Sequence, residues 1–152
     1  MHVDDTDRRI LRQMLADPGL AMAELAERAG VTAATCWRRV EKMREGGVIL
    51  GEQAVIDWRA LGWEVEVSLR FTLDKTHPRA FDEFITAARE VPEVLEIQTF
   101  LGQTDVRLNV IARDMPHYQE IYRTRILTLP HIADTDALML ISTIKDSPEL
   151  PL

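Results

Sequence analysis

Three features of the sequence predict an α+β chain. Residues 1–50 hold a helical pattern punctuated by glycine, Glu64–Leu73 alternates strictly between polar and apolar, and a proline-bracketed segment recurs 38 residues later. The predicted fold class is an N-terminal winged-type helix-turn-helix bundle followed by a C-terminal ferredoxin-like βαββαβ domain. The expected boundaries are 1–50 for the bundle, 51–63 for a linker holding a short strand and a turn, and 64–152 for the second domain. At 152 residues, with 46% hydrophobic and 28% charged positions, the chain is the right size for two small packed domains. It holds no apolar run long enough to span a bilayer and no apolar stretch behind a basic start that would read as a secretory signal. The single cysteine, Cys36, excludes an internal disulfide framework, and a cytoplasmic location is the expectation.

The first helix is expected after Val3-Asp4-Asp5-Thr6-Asp7, whose carboxylates can cap free amides and suit the helix dipole. Ile10, Leu11, Met14 and Leu15 form its apolar stripe, and Asp17-Pro18-Gly19 ends it. A short second helix runs roughly from Ala21 to Ala29, closed by Gly30, where a positive φ is cheapest. Thr32 is placed as the N-cap of a third helix reaching about Glu45. There Cys36, Val40 and Met43 face inward, leaving Thr35, Arg38 and Arg39 directed outward with Trp37 beside them.

Two helices joined by a three- or four-residue turn at a glycine make a helix-turn-helix, and the second projects far enough to enter a DNA major groove. Charge agrees locally but not globally. The chain carries a net −7, yet residues 1–50 are neutral with eight basic and eight acidic side chains, and Thr32–Arg44 alone is +3. Arginine forks can read guanine, and threonine hydroxyls can meet a base or a phosphate. Thr32, Thr35, Trp37, Arg38 and Arg39 are therefore the expected DNA-binding residues, with double-stranded DNA as partner. Pattern alone leaves two alternatives open: a helical hairpin whose basic face is merely solvated, or a metabolite-sensing module whose helical domain docks protein.

Val48–Ile56 alternates enough for one or two short strands, and Asp57–Gly62 reads as a connector. Pro78 and Pro92 bracket one helix, and Pro116 and Pro130 bracket another, each pair 14 residues apart. Strands are expected over Glu64–Leu73, Val94–Leu101, Asp105–Ala112 and Ile132–Thr143. Ala137-Leu138-Met139-Leu140-Ile141 is apolar on both faces, which predicts a strand buried twice over and an uncovered apolar sheet face that pairs with a second copy. Leu101–Val106 reads as a hairpin turn, with Gly102 for an unusual φ and Asp105 closing the bend.

Catalytic and metal frames are missing from the sequence. None of His2, His77, His117 and His131 falls in a metal-binding frame, no second thiol accompanies Cys36, and no phosphate-binding glycine loop or nucleophile elbow occurs. His77 and His117 each adjoin a proline that opens a helix, favouring a turn role. Asp82-Glu83 and the pair Asp134 and Asp136 lack an acid–base partner. No enzyme, no cofactor and no metal is the expectation.

Ile10-Leu11, the run Glu24-Leu25-Ala26-Glu27-Arg28-Ala29-Gly30-Val31, Thr35-Cys36-Trp37-Arg38-Arg39-Val40 and Gly47-Val48-Ile49 resemble the Lrp/AsnC regulators, the feast/famine transcription factors of bacteria and archaea. The resemblance extends to the closing Lys145–Leu152. It implies a sequence-specific DNA-binding transcriptional regulator, a homodimer that assembles further, and an amino acid or related metabolite held between dimers. It also implies that Gly102, Gln103, Thr104 and Asp105 contribute to the effector pocket. The family's loop is usually of Gly-Asp-x-Asp type, so Gln103 replaces a charged partner with an amide, leaving Asp105 as the remaining charge.

Overall fold

The computed structural model describes residues 2–152, which form two compact units. One comprises the chain up to Val55 together with Ile144–Leu152; the other is Ile56–Thr143. No helix among the described residues is long and apolar enough to cross a membrane.

The first unit is a three-helix bundle. Helix α1 (Asp5–Ala16) opens on a reciprocal cap in which the Asp4 carboxylate accepts from the Asp7 amide at 2.9 Å and Asp7 accepts from the Asp4 amide at 3.1 Å. Helix α2 (Met22–Ala29) ends at Gly30, whose φ of 69° lets the Val31 amide reach back to the Ala26 carbonyl at 3.0 Å. Helix α3 (Ala33–Glu45) begins at the Thr32 cap. Ile10, Leu25, Ala26, Ala29, Cys36, Val40 and Met43 make the core, and each large side chain among them contributes about 1.5–3 kcal/mol by leaving water.

One expectation fails in this unit. Val48–Ile56 forms no strand: nothing among the described residues supplies a ladder partner, and Leu50 and Val55 stand in solvent. Ile144–Leu152, the stretch after the last strand, clusters with the helical unit. Prolines at 148 and 151 cannot donate to a sheet, whereas Pro148, Leu150 and Leu152 complete a largely apolar groove of about 560 Å³ with Leu11, Leu15 and Val48. Arg12 Nε donates to the Leu152 carbonyl at 2.7 Å.

The second unit has the predicted element order. Strand β1 (Val65–Leu73), helix α4 (Ala80–Arg89), strands β2 (Val94–Thr99) and β3 (Val106–Ala112), helix α5 (Met115–Ile121) and strand β4 (Ile132–Met139) follow in turn. α5 runs directly into a π-helical turn over Tyr122–Ile126. The sheet order is β2-β3-β1-β4, antiparallel throughout, with Leu69 opposite both Leu108 and Ala137. Odd-numbered residues of β1 and even-numbered residues of β3 enter a core completed by Phe84 and Ala88 of α4 and by Tyr118, Ile121 and Ile126. Phe71 and Phe84 meet in a tilted pair with centroids 5.0 Å apart.

The last strand departs from expectation. It ends at Met139, and Leu138, Met139 and Ile141 are exposed, so the run from Ala137 to Ile141 is not buried on both faces within one chain. β4 is an edge strand with no neighbour beyond it. The sheet face away from the core is also not the apolar surface expected. It carries Glu66, Ser68 and Arg70 of β1, Arg107 and Asn109 of β3, and Asp134 and Asp136 of β4, because period-two alternation sends these residues opposite to the core set.

Candidate functional site

Helix α3 presents the first candidate surface. The Thr32 hydroxyl accepts from the Thr35 amide at 3.2 Å and donates to the Thr35 hydroxyl at 2.9 Å, leaving the Thr35 proton free for an outside acceptor. Burial of Cys36, Val40 and Met43 sets the rotation of the helix, so Arg38 and Lys42 project into solvent and, among the described residues, make no ion pair or side-chain hydrogen bond. Trp37 beside them is 59% exposed. Burial pushes the Cys36 thiol above its ordinary value, in keeping with a packing role.

Arg39 does not belong to this surface. Its Nη1 donates to Asp4 at 2.7 Å and to Asp7 at 2.9 Å, which fastens α3 to the start of α1. The outward placement expected for it fails because its position on the helix lies toward α1, where two capping carboxylates are within reach. Arg39 holds the Asp4 carboxyl down to about 2, with further help from the Asp7 amide. Arg44 is also engaged, at 2.8 Å from Glu41 and 3.1 Å from Glu52.

The loop between β2 and β3 is the second candidate. Gly102 takes φ 148°, and Gly102 and Gln103 are exposed. The Gln103 carbonyl accepts from the Thr72 hydroxyl at 3.0 Å. Asp105 is different in kind: 3% exposed, it accepts from the Leu73 amide at 2.8 Å and pairs with Lys75 Nζ at 2.9 Å. Burial pushes its carboxyl up, but the Leu73 amide and the Lys75 ammonium outweigh burial and hold it below the ordinary range. Asp105 therefore ties β3 to the end of β1, and its charge is already matched within the chain.

Thr104 joins a surface that sequence reading passed over. With Glu66, Ser68, Arg70, Arg107 and Asn109 it lines a concavity of about 590 Å³ on the open sheet face, walled by Phe100, Leu138 and Leu140. Asn109 donates to Glu66 at 3.0 Å, and Arg70 stands directly across from Arg107 in the β1–β3 register. Like charges opposite each other cost stability unless something neutralises them, and here Asp136 stands across from Arg70 on the other side while Glu96 lies 3.7 Å from Arg107. The signal was present as the polar positions of β1, which read only as the far side of a strand with one buried face. His77 and His131 also come together across the fold, although nothing in their spacing connects them.

Comparison with known proteins is consistent over the whole chain. Residues 66–150 match the family described as the Lrp/AsnC ligand binding domain, and residues 3–49 match a winged helix-turn-helix DNA-binding family. The chain is 31% identical to the proline dehydrogenase transcriptional activator of Rhodobacter capsulatus, over 97% of each chain. Among solved structures, it is similar to an AsnC family transcriptional regulator from Agrobacterium tumefaciens, with TM-score 0.87 and 32% identity over 97% of this chain and 96% of that one. A feast or famine regulatory protein from M. tuberculosis, complexed with L-methionine, superposes with TM-score 0.86 and 25% identity over 98% of this chain and 99% of that one.

Proposed function

Because the chain belongs to the Lrp/AsnC family, we propose that it is a sequence-specific DNA-binding transcriptional regulator whose C-terminal unit answers to an amino acid or a related small metabolite. The observation that carries the DNA reading is the outward face of α3, where Arg38 and Lys42 stand in solvent, without a partner among the described residues, beside the free Thr35 proton. Set into a major groove, that face puts Arg38 at the base edges. The Thr35 hydroxyl and the amides at the start of α3 are suited to phosphate. Arg39 acts one step back, by holding the helix that Arg38 rides on.

The effector is read as a zwitterion of amino-acid size. The exposed loop offers Gln103 and Thr104, neutral donors and acceptors, because the charge of Asp105 is spent on Leu73 and Lys75. The open sheet face, where Arg70 and Arg107 share a surface with Asp134 and Asp136, is suited to a second copy of the chain, since a two-fold can set arginines against aspartates. Such a dimer presents two α3 helices to a pseudo-palindromic site. Effector binding then biases the assembly, by no more than its difference in affinity for the two arrangements.

A gel-shift titration on the DNA upstream of the protein's own gene, repeated over a salt series, tests this reading. Binding that weakens steeply with salt and survives competitor DNA supports it; binding that competitor abolishes contradicts it. Light scattering then checks for an assembly larger than one 17.4 kDa chain, and calorimetry across the amino acids checks the effector.

A further inference from the structure

His77 in the loop after β1, Glu83 in α4 and His131 in the turn before β4 come from three separate stretches. Each nonetheless offers a ligand atom, and all three atoms lie within 4.8 Å of one another. The two imidazoles stack at a centroid distance of 4.2 Å and an interplanar angle of 25°. His131 Nε2 lies 2.5 Å from Glu83 Oε2. His131 is the non-glycine residue with positive φ among the described residues, at 65°, and its carbonyl accepts from the Asp74 amide at 2.7 Å. A backbone of this kind persists only where its surroundings hold it, and such places concentrate at functional sites.

We propose that His77, Glu83 and His131 form a binding site for a divalent transition-metal ion, with Zn(II) the best chemical match. Two imidazoles and one carboxylate are a borderline-soft set that suits zinc over magnesium or calcium. Bonds of about 2.0–2.1 Å in a tetrahedron set ligand atoms about 3.3 Å apart, so the His131–Glu83 contact opens and the longest separation closes. The imidazole stack must open as well, because each ring nitrogen binds a metal in the plane of its own ring. Arg79 donates its amide to His77 Nδ1 at 3.3 Å. Ligation through Nε2 places a proton on Nδ1 and gives up that long contact. Asp74 is committed to Thr76, whose amide and hydroxyl donate to it at 3.0 and 2.6 Å, so it stays outside the ligand set. The fourth position is left to water. The ion pins the β1–α4 loop and the entry of β4 to α4, a role independent of whether the chain binds DNA.

Full-length protein freed of metal by chelator and dialysis is titrated with ZnCl₂ by calorimetry and with CoCl₂ by visible absorption. The expected result is one ion per chain, with the intense visible bands of four-coordinate cobalt. His77→Ala, Glu83→Gln and His131→Ala should each weaken binding by at least about tenfold, the least that even an outer-shell change commonly costs. His2→Ala and His117→Ala should leave it unchanged. His77 is exposed, so its replacement leaves the core intact, and circular dichroism verifies the fold of each variant. Absence of saturable binding overturns the proposal. So does a one-to-one site that survives His77→Ala and His131→Ala, or one that follows His2→Ala instead.

Discussion

Arg39 and Asp7 lie 2.9 Å apart across the α1–α3 contact, the arginine on the third helix and a nearly buried aspartate on the first. The same guanidinium nitrogen reaches Asp4 at 2.7 Å, so the two carboxylates that cap α1 also fix the pose of α3. Arg39 Nε is left buried with no acceptor, a cost that the two charge-assisted bonds offset.

Removing Arg39 should therefore damage stability before it damages recognition. Arg39→Ala leaves Asp7 desolvated without its partner and should lower unfolding free energy by about 1–3 kcal/mol. Urea denaturation measures this directly. An unmoved midpoint would place the pair among surface ion pairs of little consequence.

Arg38 and Lys42 should show the opposite behaviour. Arg38→Ala is expected to cost about 1–3 kcal/mol of preference for the cognate site, with an unchanged denaturation midpoint. Lys42→Ala should weaken all DNA alike and reduce the salt slope by about one unit. Fluorescence anisotropy on cognate and scrambled duplexes over a salt series separates the two roles. If neither substitution changes binding, α3 is not the reading element.

Acid should loosen the chain in a defined window. Asp4 titrates near about 2 in the fold against an ordinary 3.8, chiefly because Arg39 donates to it. A carboxyl lowered by folding contributes its full stability above the unfolded value and loses it as pH falls through the folded one. Glu83, lowered first by its hydrogen bond to His131, has the same sign, as does Asp105. Thermal midpoints should thus decline between about pH 4 and about pH 2. In Arg39→Ala that decline should be shallower, which a melting series in matched buffers would reveal.

Asp105 and Gln103 are neighbours in one loop with different duties. Asp105→Ala strips the Leu73 amide and Lys75 of their acceptor and should destabilise the sheet by about 1–3 kcal/mol. Gln103→Asp alters an exposed side chain and should stay within about 0.5 kcal/mol in stability. It should instead change amino-acid binding, by adding the charge an ammonium prefers. Calorimetry with and without effector distinguishes the two. Equal effects of both substitutions on stability would remove the distinction.

The residues that carry periodic signals were legible in the sequence. Cys36, Val40 and Met43 located the buried side of α3, and the alternation from Val65 to Leu73 located β1 and its core face. Gly30 and Thr32 marked the turn because each has a specific backbone task there. What escaped depends on pairing across distance. Arg39 shares its charge and its place beside Arg38, and only the position of Asp4 and Asp7 in the folded bundle tells the two arginines apart. Asp105 looked like a hinge of a turn until Leu73 and Lys75 arrived from 30 or so residues away. The meeting of His77 with His131 has no periodic trace at all. The strand expected at Val48–Ile56 failed for the complementary reason: alternation shows which residues can pleat, not whether another segment is there to bond them.

The return of Ile144–Leu152 to the helical bundle makes that bundle discontinuous, with the sheet unit spliced into it between positions 55 and 144. A fragment of residues 1–55 would be a bundle stripped of Pro148, Leu150 and Leu152, its Leu11 and Leu15 groove bare to water. A DNA-reading fragment meant for isolated study is better built by fusing the closing nonapeptide back on through a flexible spacer.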